Sequence, residues 1–200
     1  MGRGVLLSIL ALVLIVLVWR RPSMGRERMG KVLIFLALFI LPLTATILGL
    51  GAHLDHSKST EFCLSCHVME PYGKSLALAD LEHLPAAHFQ NKRVPQDKAC
   101  FACHTQYTMY GDFNAKLRGL KHVYVQYLGT VPDKVELYSP YNNRECLYCH
   151  GGARSFEESD VHEGMEEEFA ENEISCLECH DMTHAVDEVE ELDLWEPLIK

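Results

Sequence analysis

The sequence predicts a mostly α-helical protein with irregular loops, in which an N-terminal transmembrane helical hairpin precedes a compact domain. Two long apolar runs, residues 5–19 and 32–52, open the chain and are long enough for helices. Runs of alternating apolar and polar residues, which would indicate strands, are scarce in the remainder. The pattern Cys-x-x-Cys-His occurs four times after the second apolar run. These observations predict a membrane anchor followed by a domain organised around the repeated motif.

The four motifs contain all eight cysteines of the chain. The cysteine pairs are Cys63 and Cys66, Cys100 and Cys103, Cys146 and Cys149, and Cys176 and Cys179, followed directly by His67, His104, His150 and His180. This spacing is the attachment pattern of c-type haem, in which the two thiols bind the porphyrin and the histidine approaches the iron. Zinc sites built from the same cysteines and histidines are the alternative, but they give no reason for a histidine after every pair. The sequence therefore predicts four covalently bound haem c groups in a multihaem c-type cytochrome domain.

The predicted cofactors determine the expected location of the domain. Covalent haem c is attached outside the bacterial inner membrane, so residues 53–200 are expected in the periplasm. We expect haems one and two in residues 61–130, haems three and four in 141–185, and an acidic tail in 186–200. A chain this short has little protein-only core left once it covers four porphyrins.

The first 52 residues are expected to form a two-helix membrane anchor. Residues 32–52 are long enough to span the hydrocarbon core, which needs about 20 residues, and Pro42 is expected to kink this span. Residues 5–19 are short for a span and could be the apolar part of a signal peptide. Because Trp19 is followed by basic residues and a proline instead of a small-residue cleavage site, we favour a helix there.

The segment between the apolar runs, residues 20–31, holds five basic residues and one acidic residue. Basic loops stay on the cytoplasmic side of the inner membrane, so this loop is expected in the cytoplasm and both termini in the periplasm. This topology agrees with the location that haem attachment requires.

Charge in the predicted periplasmic domain is strongly negative, with 27 acidic residues against 12 basic ones in residues 53–200. This balance excludes nucleic acid as a partner and favours a redox protein with a basic surface. The apolar residues of the last segment are expected to cover a haem or to enter a partner: Leu192, Leu194, Trp195, Leu198 and Ile199.

Each low-spin haem needs a second axial ligand besides the motif histidine. Seven histidines outside the motifs are candidates: His53, His56, His83, His88, His122, His162 and His184. We interpret His53 and His56 as solvated residues of a polar connector. Spacing alone does not assign the others.

The first motif, within residues 62–69 and preceded by a membrane anchor, resembles the NapC/NirT (NrfH-like) family of membrane-anchored tetrahaem cytochromes, which are quinol dehydrogenases. The similarity covers most of residues 62–185. It continues through residues 88–91, 116–124, 128–130, 144–146 and 176–184.

The resemblance implies axial ligands. The implied pairs are His104 with His184 at haem two, His150 with His162 at haem three, and His180 with His88 at haem four. At haem one it makes Met69 a candidate ligand in place of His67, and methionine would raise the reduction potential of that haem. A packing role is the alternative for Met69.

Three departures from the family pattern concern haem one and the anchor. His122 stands where the family usually has an acidic residue, so it is a candidate ligand of haem one or acceptor of a quinol proton. Lys116 matches a lysine of the family pattern if this chain has lost one residue between Lys116 and His122. Two apolar runs, where the family generally has one anchor helix, favour a place in a larger membrane complex.

The resulting hypothesis is a tetrahaem cytochrome that transfers electrons between the membrane quinone pool, with menaquinol as the expected substrate, and a periplasmic redox or multihaem partner. Quinol oxidation is the favoured direction, with Lys116 and His122 as catalytic proton acceptors. The alternative is a non-catalytic relay and anchor subunit of a larger redox complex that does not bind quinone. Reduction of a small molecule at an open haem one is a third possibility, and a ligating His122 would exclude it.

Overall fold

The computed structural model describes residues 2–79, 82–132, 134–135, 137, 139–184, 186–187 and 189. None of these residues lies in a strand, so the expected mostly α fold with irregular loops is confirmed. The helices are α1 (Gly2–Arg20), α2 (Arg28–Phe35), α3 (Leu41–His56), α4 (Thr60–Leu64), α5 (Glu70–Lys74), α6 (Leu84–Gln90), α7 (Ala99–Cys103), α8 (Gly111–Leu128), α9 (Asn143–His150), α10 (Arg154–Glu157), α11 (Glu166–Glu171) and α12 (Cys176–Cys179). The chain divides into two compact units, Met1–Ser57 and Lys58–Lys200. The apolar tail residues from Leu192 to Ile199 lie outside the described residues.

In the first unit, α2 and α3 form one continuous helix, Arg28–His56, because a π-helical turn at Leu36–Ile40 joins them. The turn precedes Pro42, which has no N–H to donate, and the Leu41 N–H bonds to the Leu36 carbonyl five residues back. With 29 residues, this is the one helix in the described part of the chain that is long and apolar enough to cross a membrane. Its last turn includes His53 and His56, which we had expected in a connector.

The first helix, α1, packs against α3 to form a helical hairpin. Small residues allow the close approach: Ala11 and Ala37 are buried, and a Cβ on Gly4 would meet the Ala45 carbonyl oxygen at 3.6 Å. Large apolar side chains such as Phe39 point away from the pair and are exposed. An apolar outer surface over small-residue contacts suits a hydrocarbon environment.

The second unit has a thin apolar core. Its fully buried apolar side chains, among the described residues, are Leu64, Leu76, Ala86, Ala99, Phe169 and Val189. A domain of this length ordinarily buries more than half of the surface that its unfolded chain exposes. Because this apolar core is small, polar contacts and bound cofactors must supply part of the stability of the folded domain.

A buried threonine ties the first motif to the second. Thr60, at the start of α4, donates through Oγ1 to the Gln96 carbonyl and accepts from the Ala99 N–H, both at 2.8 Å. Because α7 begins at Ala99, the helix that carries Cys100 is held directly against the helix that carries Cys63.

A buried carboxylate ties the second motif to the third. Glu145, in α9, accepts from the Tyr107 N–H at 2.8 Å, three residues after the second motif ends. The Tyr107 ring stacks on Tyr148 with centres 3.9 Å apart, and its hydroxyl donates to the Ala102 carbonyl. Tyr107 therefore connects the two motifs, since its N–H and ring contact the third motif and its hydroxyl contacts the second.

A buried amide ties the third motif to the fourth. Asn143, at the start of α9, donates from Nδ2 to the carbonyls of Phe169 (2.9 Å) and Ile174 (2.6 Å). Its Oδ1 accepts from the Cys176 N–H at 2.9 Å, and its own N–H donates to Asn172 Oδ1. One side chain thus satisfies three backbone groups that a second segment presents.

We predict that Asn143→Leu lowers the free energy of unfolding by about 3 kcal/mol or more, because it leaves three buried backbone groups without partners at about 1 kcal/mol or more each. The measurement is urea unfolding of the mature protein in detergent, followed by circular dichroism. Asn114→Leu, on the exposed side of α8, is the control and should change little. Equal stability of the two variants would contradict this role of Asn143.

Candidate haem sites

In the second, third and fourth motifs, both cysteines lie on a single helical turn, in α7, α9 and α12. Residues three apart project from the same face of a helix, so the two thiols of each motif can reach one porphyrin. The His104 N–H donates to the Cys100 carbonyl at 2.9 Å and the His180 N–H to the Cys176 carbonyl at 3.0 Å. These bonds fix the backbone of the histidine relative to the first cysteine.

Capping residues explain why such short helices form. Ser59, Asn142 and Ser175 precede α4, α9 and α12, and each side chain accepts a hydrogen bond from the first turn. Ser175 and Glu178 form a reciprocal capping box around the fourth motif. Helix initiation is thus encoded next to the cysteines.

The first motif has a different backbone. Its helix, α4, ends at Leu64, and a 3₁₀ turn at His67–Met69 follows, in which the Met69 N–H donates to the Cys66 carbonyl at 2.9 Å. Met69 is half-buried, whereas His67 is exposed. The first motif therefore departs from the others at the position where a different iron ligand is expected.

Cysteines of successive motifs lie next to one another. Cys63 is hydrogen-bonded to Cys100, Cys146 to Cys176, and Cys103 interacts electrostatically with Cys149. The four motifs are consequently arranged in chain order, each beside the next.

Three pairs of histidine rings lie at similar centre-to-centre distances. The ring centres are 6.2 Å apart for His104 and His184, 5.9 Å for His88 and His150, and 6.3 Å for His162 and His180. Metal–nitrogen bonds of about 2 Å on either side would put two ring centres roughly 6 Å apart. All three pairs therefore have the spacing of two imidazoles that bind one metal ion from opposite sides.

One histidine of each pair is oriented by a hydrogen bond at Nδ1. His184 Nδ1 contacts Ser75 Oγ at 2.8 Å, His88 Nδ1 the Leu84 carbonyl at 2.7 Å, and His162 Nδ1 the Phe156 carbonyl at 3.1 Å. Carbonyl oxygens accept only, and Ser75 Oγ already donates to the Tyr72 carbonyl, so each Nδ1 carries the proton. Each Nε2 is then the unprotonated nitrogen that can bind a metal.

Two of these pairs differ from those that the family resemblance implied. His88 lies beside His150 instead of His180, and His162 lies beside His180 instead of His150. The third and fourth motif histidines are themselves near each other, because His180 acts electrostatically on His150. Neighbouring motifs bring both candidate partners near each distal histidine, so the axial pairing stays a prediction.

Residues 25–189 match the family model described as the NapC/NirT cytochrome c family, N-terminal region. The chain belongs to this family. It is 24% identical over 179 residues to the cytochrome c-type protein NapC of Haemophilus influenzae, a match that covers 81% of this chain and 82% of NapC. It is also 24% identical over 179 residues to the cytochrome c-type protein TorC of Escherichia coli K12, covering 80% of this chain and 43% of TorC. No solved structure matches the chain significantly.

The NapC/NirT resemblance is therefore confirmed. This family member is a membrane-anchored c-type cytochrome of electron transport, with covalently bound haem c in a periplasmic domain and redox partners. The residues present fit the cofactor, because cysteine pairs on one helical face lie beside imidazole pairs at the spacing of axial ligands.

The electrostatics of the paired histidines favour the neutral, metal-binding form. Desolvation, and to a lesser degree His104, lowers the pKa of His184 to about 4. Desolvation also lowers the pKa of His104 and of His150. Unprotonated imidazoles are the form that metal coordination requires.

The two candidate catalytic residues, Lys116 and His122, lie on α8 beside different motifs. The Lys116 ammonium lies 4.5 Å from the centre of the Phe101 ring and interacts with Cys63 of the first motif, and burial lowers its pKa. His122 acts electrostatically on His104 of the second motif, and burial lowers its pKa too. The structure thus brings Lys116 to the first motif and His122 towards the second.

The sequence did not indicate Ser75, which orients His184 and whose side chain is completely buried. Its partner lies 109 residues away in the chain, so no local spacing could reveal it. Tyr72 packs edge-on against the same His184 ring, with centres 5.3 Å apart.

We predict that Ser75→Ala raises the reduction potential of the haem that His184 serves. Without the hydrogen bond at Nδ1 the imidazole is a weaker electron donor, so the oxidised iron is less stabilised. The expected shift is up to about 60 mV, the one-electron equivalent of a tenfold change in ligand affinity. Redox titration followed by EPR is the measurement, and Ser155→Ala at an exposed position is the control. A shift of the same size in both variants would contradict the assignment.

Proposed function

We propose that this cytochrome carries four haem c groups, one at each motif, and passes electrons from membrane quinol to a periplasmic redox partner. The observation that carries the proposal is the ordered line of four motifs, three of which have a closely spaced, oriented imidazole pair. A line of closely spaced centres suits transfer over distance, while attachment through two thiols fixes each centre in place.

The proposal assigns one role each to the cysteines, to the histidines and to the groups that orient the histidines. The cysteine pairs hold the porphyrins, and bound haem supplies one-electron transfer. The proposed axial pairs are His104 with His184, His150 with His88, and His180 with His162, while Met69, His67 and His122 are the candidates at the first haem. Ser75 and the carbonyls of Leu84 and Phe156 keep the distal rings in position.

Quinol oxidation needs a proton acceptor near the electron acceptor, because quinol releases two protons with its two electrons and haem iron takes only electrons. Lys116 is the proposed acceptor beside the first motif, supported by its contact with Phe101 and its interaction with Cys63. His122 is a second proposed acceptor, supported by its position two turns further along α8. Only six residues lie between His56, where α3 ends, and Cys63, so the first motif follows the apolar helix closely in the sequence.

The fourth motif is the proposed exit toward the partner. A cavity of about 300 Å³ opens over Cys179 and His180 and is also lined by Glu82 and Asp181. Exposed acidic residues dominate this part of the chain, so a basic partner surface is its electrostatic complement.

A relay subunit that never binds quinone is the alternative function. The two-helix hairpin favours it, because a second helix offers a surface for another membrane subunit. In that case electrons enter the first haem from a protein, and Lys116 has a structural role.

We predict that the intact mass of the mature protein exceeds that of the polypeptide by four haems. Replacing both cysteines of one motif by alanine should remove one haem and leave the others attached, since each motif holds its own porphyrin. Mass spectrometry of the purified full chain measures the number directly. A wild-type excess of any other number would overturn the assignment of one haem to each motif.

We also predict that a reduced menaquinol analogue reduces the haems of the purified protein in detergent. Lys116→Gln should slow this reduction by about 100-fold, at the lower end of the effect of a general base. Lys134→Gln, which removes an exposed ion pair with Asp187, is the control and should react at the wild-type rate. Stopped-flow haem absorbance measures both.

If the wild type is not reduced by any low-potential quinol while dithionite reduces it fully, the quinol proposal fails and the relay alternative stands. If the Lys116→Gln variant reacts at the wild-type rate, quinol oxidation survives but Lys116 is not the proton acceptor.

A further inference from the structure

The outer face of α8 carries a continuous row of large exposed apolar and aromatic side chains. The residues of this row, here called the α8 stripe, are 49% to 79% exposed: Phe113, Leu117, Leu120, Tyr124, Tyr127 and Leu128. From Phe113 to Tyr127 they follow one another at intervals of three or four residues, and Leu128 comes four residues after Tyr124, so all six share one face of the helix. Such a row on a thinly packed domain marks an interaction surface.

The side of α8 opposite the stripe packs against the rest of the domain. The opposite face of α8 presents Gly111, Ala115, Gly119 and Gln126, which are buried or half-buried against the domain. His122, which is exposed, follows Ala115 and Gly119 on the same side of the helix and acts electrostatically on His104 of the second motif. The stripe therefore lies on the side of α8 that points away from the second motif.

The charges around the stripe differ from those of the rest of the domain. Residues 104–132 hold three basic residues and one acidic residue, within a domain that has 27 acidic and 12 basic residues. Helical geometry places Lys116 on one side of the stripe and Arg118 and Lys121 on the other. The one carboxylate, Asp112, is hydrogen-bonded to Lys58 and Thr105. The apolar surface is therefore bordered by positive charge.

We propose that α8 lies in the plane of the membrane interface, with the stripe in the boundary between headgroups and acyl chains. An apolar face, flanking lysine and arginine residues, and aromatic residues at headgroup depth are the features of interfacial helices. The occupant of this surface is a bilayer that contains anionic lipid. The anchor tethers the domain to that bilayer, which raises the effective concentration of lipid near the stripe. Weak contacts between the stripe and the lipid are therefore sufficient for binding.

The test uses the full chain with its haems, incorporated as single copies in lipid nanodiscs of phosphatidylcholine with phosphatidylglycerol. A phospholipid with a photoreactive diazirine below its headgroup is activated, and adducts are mapped by mass spectrometry. Adducts are expected on the α8 stripe and on the hairpin, but not on Leu137 and Val161, which are 55% and 75% exposed elsewhere on the domain. Labelling of the hairpin without the stripe would overturn the proposal.

A variant sharpens the test. The double substitution Leu120→Glu with Tyr124→Glu should reduce adducts on the remaining stripe by about tenfold or more, because each change removes a large apolar side chain from an apolar environment. The double substitution Leu137→Glu with Val161→Glu is the matched control and should leave α8 labelling unchanged. Unchanged labelling in the α8 variant overturns the proposal, as does a stripe that is protected from lipid and cross-links to a second copy in crowded discs. If the α8 variant fails to bind haem, the wild-type adduct map decides alone.

Discussion

An imidazole binds a metal only through a nitrogen without a proton, and the organisation of this domain depends on meeting that requirement. At His88, His162 and His184 an oxygen atom of the protein accepts a hydrogen bond from Nδ1–H, which keeps the proton on Nδ1 and leaves Nε2 available. Two of these oxygens are backbone carbonyls and the third belongs to the buried Ser75. The backbone conformation and the protonation state are therefore specified by the same contacts.

Buried polar side chains hold the parts of this domain together, a role that an apolar core has in other domains. Thr60, Glu145 and Asn143 each connect one motif to the next and bind backbone groups that would otherwise be unsatisfied. Such bonds are directional, so they fix both the distance and the orientation between neighbouring motifs. Packing of aliphatic side chains tolerates more variation in both. An electron-transfer chain benefits from this precision, because its function depends on the spacing of its centres.

Local patterns in the sequence predicted the features that depend on local structure. The apolar runs predicted the hairpin, and the motif spacing together with the flanking residues predicted the haem family. The pairing of His88 and His162 with particular motif histidines stays a prediction, because the two histidines are chemically equivalent and local spacing does not distinguish them. Ser75 was missed for the same reason, since its role arises from a contact across 109 residues. The length of α3 was underestimated because polar residues can continue a helix beyond its apolar part.

The distribution of charge gives the haem domain a preferred orientation at a membrane surface. Between residues 157 and 173 the exposed charged side chains are all acidic, whereas α8 carries three basic residues and one acidic residue. An anionic bilayer attracts the basic helix by about 1 kcal/mol for each lysine or arginine near the surface and repels the acidic segment. Within a Debye length of about 8 Å, these opposite forces favour the proposed orientation, in which α8 faces the lipid. In that orientation the acidic segment would be the part of the domain that the bilayer repels, and it would stay available to soluble partners.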